Sequence, residues 1–150
     1  MALVWESSVV TQALVDLIED AHVPADLKAV FYGDVALIPK VPAVAVQPGS
    51  RRRTFNQTGL QYEIVFQTLI TVYHSQLSDI QDVTKDVDEL AEEIEATINA
   101  ARLLPDGDGA QRIIHGYISE VEPGYATRGT SLFVAHRLTH TAISRHRVGN

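Results

Sequence analysis

Cysteine is absent from the chain, and with it a disulfide framework, a thiolate nucleophile and any cysteine-type zinc site. No stretch of eighteen apolar residues occurs, so no membrane-spanning helix and no membrane partner is expected. The opening Met1-Ala2-Leu3-Val4-Trp5-Glu6 lacks the basic start and apolar core of a signal peptide, and synthesis in the cytoplasm is the expectation. Catalytic signatures are missing as well. There is no Gly-x-Ser-x-Gly elbow. Gly107-Asp108-Gly109 is too short and too acidic to cradle phosphate, and no lysine follows it as a P-loop requires. Neither an enzymatic activity nor a cofactor is expected.

What is present is enough for a core: 150 residues, 45% of them apolar, expected to form one domain over residues 1–150. The net charge of −7 argues against general nucleic-acid affinity, because phosphate contacts need concentrated Lys and Arg. That charge is unevenly spread. Eight of the nineteen acids fall between Asp79 and Glu95, whereas no acid follows Glu122, only Arg128, Arg137, Arg145, Arg147 and three histidines. Such a distribution is met both in a solvated acidic helix with a basic tail and in a subunit with faces of opposite sign.

Ser7 or Ser8 is placed to cap a first helix, with Val9, Val10, Ala13, Leu14, Leu17, Ile18 and Ala21 at helical spacing and His22-Val23-Pro24 ending it. Val30–Ile38 reads as a short strand broken at Gly33-Asp34, and Ala43–Gln47 as a second one after a turn bracketed by Pro39 and Pro42. Pro48-Gly49-Ser50 has turn chemistry, and the polar run Pro48–Gly59 reads as a loop. Leu60–His74 alternates as a strand, with Leu60, Tyr62, Ile64, Phe66, Thr68, Ile70, Val72 and His74 on a core face. Gln61, Glu63, Val65, Gln67, Leu69, Thr71 and Tyr73 form a mixed face.

A second helix opens on a capping-box pattern, Ser78 with Gln81, and runs to Leu104. Its apolar stripe is Ile80, Val83, Val87, Leu90, Ile94, Ile98 and Ala101, with acids over the rest. Two strands follow, Arg112–Val121 and Leu132–Ser144, with Pro123-Gly124-Tyr125 and Arg128-Gly129-Thr130 punctuating their connection. Strands grouped with two helices predict an α+β fold: an antiparallel or mixed sheet with both helices on one face. The Leu60–His74 strand would span about 50 Å at ~3.3 Å per residue, against a diameter near 40 Å for a chain of this size. A projecting long-strand hairpin, covered by a neighbouring subunit, resolves that mismatch.

Three groups bear on chemistry. His136 and His140 have a metal-ligand spacing for a helix, but on a strand they stand roughly 13 Å apart on one face. They are read as two histidines on a partly exposed strand face, not as zinc ligands. Carboxylate pairs such as Asp82 with Asp86 and Glu89 with Glu93 lie on the polar side of the second helix, where solvation rather than catalysis is expected. Arg51, Arg52 and Arg53 with Phe55 form the concentrated basic group. An exposed segment of this kind suits an acidic protein surface better than nucleic acid on a chain of net negative charge. Asp79–Glu95 of another copy supplies such a surface.

The order of these elements resembles the tail terminator (tail-completion) proteins of long-tailed bacteriophages. The likeness runs from the opening helix through Lys40-Val41-Pro42-Ala43-Val44-Ala45-Val46, the long alternating strand and the acidic helix Asp79–Arg102. It ends with Gly116-Tyr117-Ile118-Ser119 and Ser131-Leu132-Phe133-Val134-Ala135. It covers nearly the whole chain and rests on element order and hydrophobic texture. The resemblance implies a ring of subunits, typically six, located in the virion at the head-proximal end of the tail. That ring would cap the tail tube protein, stop tube polymerisation, offer a docking face to the head connector and let genomic DNA pass through its lumen. Under that expectation the candidate contact residues are Arg51, Arg52 and Arg53 with Phe55 as a positive patch, Asp82, Asp86, Glu89 and Glu93 as a negative one, and Gln61, Glu63 and Gln67 on the mixed face of the long strand. Two alternatives stay open: a different phage neck, baseplate or tube-like protein, and a small ligand-binding or enzymatic α+β domain with a site at a subunit interface.

Overall fold

The computed structural model of the chain describes residues 7–21, 27–33, 38, 40–55, 61–76, 83–100, 113–129 and 131–147. Helix α1 spans Ser7–Ala21 and α2 spans Val83–Ala100; strands β1 to β5 are Ala29–Tyr32, Ala43–Phe55, Gln61–Gln76, Ile113–Arg128 and Ser131–Arg147. The strands form one five-stranded mixed sheet in the order β1-β2-β3-β5-β4, parallel only between β1 and β2. The fold is α+β, as the sequence predicts.

Both helices pack on the same face of the sheet. Helix α1 lies against β1, β2 and β3, and α2 against β3, β4 and β5, with the two helices touching each other. Between helices and sheet sits the main core. Val10, Leu14 and Ile18 come from α1, Leu90, Ile94 and Ile98 from α2, and Val44, Val46, Ile64, Phe66, Ile70, Val72 and Leu138 from the strands. In β3 Ile64, Phe66, Thr68, Ile70 and Val72 of the predicted core face are buried at period two, His74 is half-buried, and Leu60 and the Tyr62 side chain lie outside the description. The buried surface of α1 is wider than its predicted stripe, since Thr11 and Val15 are also enclosed. The helix has neighbours on two sides, sheet and α2, and buries more than one row. The apolar stripe of α2 holds at Leu90, Ile94 and Ile98; its capping box at Ser78 and Gln81 and its continuation to Leu104 lie outside the described residues. The side chain of Asn99 on α2 accepts a hydrogen bond from the backbone N–H of Ile118 on β4 at 2.8 Å. That bond ties the helix to a strand whose register shifts between Ile118 and Glu120.

A second, smaller cluster occupies the opposite face: Ala45, Tyr73, Phe133 and Ala135, with Phe31, Ile38 and Val41 packed against it. Tyr73 and Phe133 meet edge to face at 5.8 Å, and the Arg128 guanidinium lies 5.5 Å from the Tyr73 ring centroid. This explains why Thr71 and Tyr73 are buried on the mixed face of β3, whereas Val65 and Leu69 are half-buried and Gln67 is exposed.

Several sequence expectations are corrected. The segment read as a loop from Pro48 is strand as far as Phe55, because its backbone pairs with β3 from Arg51↔Phe66 to Phe55↔Tyr62. The Pro48-Gly49-Ser50 signal is a β-bulge, where the register shifts between Pro48 and Arg51. Gly49 is required there by proximity, since a Cβ would fall 2.6 Å from the backbone oxygen of Gln67. Residues 56–59 of that expected loop lie outside the described residues. Strand β1 covers the first part of the predicted Val30–Ile38 and stops at Tyr32, before Gly33 with φ +91°; residues 34–37 of that expectation lie outside the described residues. Pro123-Gly124-Tyr125 does not separate two strands but runs inside β4, an edge position where proline's missing N–H is tolerated. The connection to β5 is confined to Gly129 and Thr130, with Arg128 already paired to Ser131.

Candidate assembly surface

The distal half of β2 is a strand of unusual exposure: Pro48 through Phe55 are all exposed, whereas Ala43–Val46 are all buried. Two features of the fold produce this. On the outer side, β1 borders β2 only at Ala43–Val46. The N–H of Gly33 donates to the Val46 carbonyl at 2.6 Å, and no described strand continues alongside. From Gln47 onward β3 is the strand that β2 pairs with among the described residues. Within the strand, the bulge sets the facing of each arginine. Arg51 and Arg53 are level with Phe66 and Ile64 and share the helix-side face with Phe55; Arg52 and Thr54 are level with Val65 and Glu63 and share the other face. Phe55 is 58% exposed.

The remaining expected contact residues distribute as follows. Gln67 is exposed and accepts a 2.8 Å hydrogen bond from the Ser50 hydroxyl, which links β2 to β3 just beside the bulge. Glu63 is half-buried and opposite Thr54. Gln61 pairs with Arg147 through the backbone, and its side chain lies outside the described residues. Glu89 and Glu93 are exposed on α2, Asp86 lies on the same helix with its side chain outside the description, and Asp82 falls outside the described residues altogether. Helix α2 packs over β3, β4 and β5, while the arginines stand on β2 toward the other side of the sheet. Within one subunit Glu89 and Glu93 of α2 and the arginines of β2 stand on elements that pack over different parts of the sheet.

One group was not singled out from sequence. The other edge strand, β4, exposes Ser119, Glu120, Val121, Glu122 and Pro123 in succession. Glu120 and Glu122 are level with Thr139 and Arg137 of β5, on the face away from the helices. Glu120's carboxyl is held above the usual carboxylate range by its hydrogen bond with Glu122, then by the Glu122 charge, with a lesser effect of burial. The available signal was the alternation Glu120-Val121-Glu122, the last acids before a wholly basic terminus.

The two histidines are not on a partly exposed face. His136 is 4% and His140 0% exposed, both on the helix-side face of β5, opposite Val72 and Thr68. Neither ring nitrogen of His140 has a hydrogen-bond partner among the described residues, and burial lowers its pKa to about 4. Groups of three or more His, Cys, Asp or Glu placed to hold a metal ion are absent among the described residues. An open depression of about 240 Å³ lies over Thr71, Gly124, Ala135 and Arg137 on the face away from the helices. No protein-family model matches the chain, and no curated protein matches it.

Proposed function

We propose that the protein is a structural virion subunit whose copies close into a ring, hexameric on the tail-terminator pattern, that caps the tail tube of a long-tailed bacteriophage. In this role the ring ends tube polymerisation, presents the docking face for the head connector and leaves a lumen for DNA. The observation that carries the reading is the distal half of β2: eight consecutive exposed strand residues, Pro48–Phe55, flanked by β3 as their one strand neighbour among the described residues. A strand edge of this length is a template for another chain, and here it bears Arg51, Arg52, Arg53 and the exposed Phe55. The placement of basic and acidic residues on different elements of one subunit supports a head-to-tail contact, in which one patch meets a different patch on the next copy. Element order and hydrophobic texture support the choice of tail terminator among ring-forming proteins.

Sedimentation velocity at tens of micromolar tests the reading. Wild-type protein is expected to form rings, alone or once tail tubes are added. Changing Arg51, Arg52 and Arg53 together to Ser is expected to leave the fold intact and weaken assembly. Salt at about 1 M should mimic the change, since it cuts the screening length to about 3 Å. A strict monomer that ignores tail tubes refutes the reading.

A further inference from the structure

Among the described residues, two stretches of strand with no strand paired along their outer side carry opposite charge. One is the outer edge of β2 beyond β1, with Arg51, Arg52 and Arg53; the other is β4, with Glu120 and Glu122. We infer that these edges pair between copies of the chain, the distal half of β2 in one subunit adding to β4 of the next, so that the sheet continues across the subunit boundary. The inference rests on the ring reading above and names the partner of the β2 edge as the β4 edge, in place of the acids of α2.

Charge and backbone agree on this pairing. Edge strands offer unpaired N–H and C=O groups, and addition of another strand satisfies them. Charged residues on an edge commonly block such addition, but what they block depends on sign. An arginine edge against a second arginine edge is repulsive, as is a glutamate edge against its own copy. Only the β2-to-β4 combination joins opposite signs. The charges thus disfavour twofold, same-edge dimers and favour a heterologous contact, the kind that generates rings. Arg137 is level with Glu122 inside the same sheet, so one guanidinium stands near two carboxylates and the edge remains acidic. The hydrogen bond and repulsion that raise Glu120's pKa point the same way, since a neighbouring cation relieves both.

Facing and direction also fit. In the sheet order β2 and β4 run antiparallel, because β2–β3, β3–β5 and β5–β4 are each antiparallel pairs. A β2 strand placed outside a neighbour's β4 is then antiparallel too. With Arg52 opposite Glu122, both lie on the face away from the helices; Arg53 then meets Val121 and Thr54 meets Glu120, each pair again sharing a face. Val121 and Tyr125 on β4 and Phe55 on β2 are exposed apolar residues on the helix-side face, and they come to one seam. The pairing is staggered. Arg52 is level with Val65 and through it with Ile143, whereas Glu122 is level with Arg137. The offset is roughly 20 Å at ~3.3 Å per residue. Strand β1 enforces this offset by occupying the β2 edge at Ala43–Val46. A sheet that closes on itself requires tilted, staggered strands of this kind.

Charge reversal with complementation tests the inference. Arg51→Glu/Arg52→Glu/Arg53→Glu makes both edges acidic, and Glu120→Arg/Glu122→Arg makes both basic. By sedimentation velocity each variant alone is expected to remain monomeric, with an unchanged thermal midpoint. Their equimolar mixture is expected to recover the wild-type assembly, because every contact again joins opposite signs in an alternating ring. If Glu120→Arg/Glu122→Arg assembles like the wild type, edge pairing is wrong while the ring reading stands. If the folded variants fail alone and also fail on mixing, the proposed partner edge is wrong. If the wild type itself never assembles, even with tail tubes, the ring reading falls and this inference with it.

Discussion

Lowering the pH should destabilise this protein, and one identified side chain, His140, carries a definable share of the loss. His140 is fully buried on the helix-side face, level with Thr68 of β3 and Ile118 of β4. The apolar groups of that core include Phe66, Ile70, Leu138 and Ala142 on the strands, with Leu90, Ile94 and Ile98 of α2 on the helix side. Among the described residues no hydrogen bond reaches either ring nitrogen, so a charged imidazolium there has no compensation. In the folded state the ring stays neutral down to about pH 4, against an ordinary histidine value of 6.5. Between those values the unfolded chain binds a proton that the folded chain refuses, so stability falls as pH falls. The contribution is fully present above about pH 6.5 and is lost progressively toward pH 4. At 1.36 kcal/mol per pH unit the loss totals about 3 kcal/mol, a large part of the usual ~5–15 kcal/mol of a domain. Urea midpoints between pH 7.5 and 4.5 measure it, with His140→Leu and His140→Gln as references. Every other group is common to wild type and variant, so the difference in pH slope isolates His140. Parallel slopes for wild type and both variants across this window would refute the reasoning.

Three further outcomes follow from particular contacts. Leu90→Ala removes a side chain only 4% exposed in the main core and is expected to cost about 2–5 kcal/mol, read as a lower urea midpoint at unchanged slope. Gly49→Ala puts a methyl 2.6 Å from the backbone oxygen of Gln67. Backbone cannot rotate away as a side chain can, so a loss of about 1–3 kcal/mol in the same assay is expected. Asn99→Ala deletes the acceptor for the Ile118 N–H and should cost about 1 kcal/mol, with faster hydrogen exchange at Ile118. Asn99→Asp retains an oxygen at that place and should recover most of the protection.

Burial was legible in the sequence wherever it follows a period. The alternation of β3 named Ile64, Phe66, Ile70 and Val72, and the helical stripe named Leu90, Ile94 and Ile98, all of which are core. Both patterns need one covered face, and the helices supply it. The misjudged segments share the opposite property. Arg51-Arg52-Arg53-Thr54-Phe55 has no apolar face to alternate, and it is strand because β3 presents backbone partners from Phe66 to Tyr62. Pro48-Gly49 and Pro123-Gly124 carry turn chemistry, yet the first pair opens a bulge and the second sits in an edge strand. His136 and His140 looked half-exposed because their polarity was weighed without α2, whose packing over β5 encloses that face.

The same physics explains why the candidate assembly surface was the least legible part. Pattern reading detects residues that fold buries, and a contact made only between subunits leaves its residues exposed and polar in each copy. The β2 edge therefore has the composition of a loop, and Glu120 and Glu122 that of an ordinary solvated strand edge. What distinguishes them is where the sheet places them: on the stretch of β2 beyond the end of β1 and on the terminal strand β4, running in opposite directions and with opposite charge. The charges stand in the sequence, but their places on opposite sides of the sheet and the directions of their strands exist only once the strand order is known. Charge on a strand edge is ordinarily read as protection against association. When the two edges differ in sign, protection against like edges and selection of the unlike edge are a single effect of the same residues.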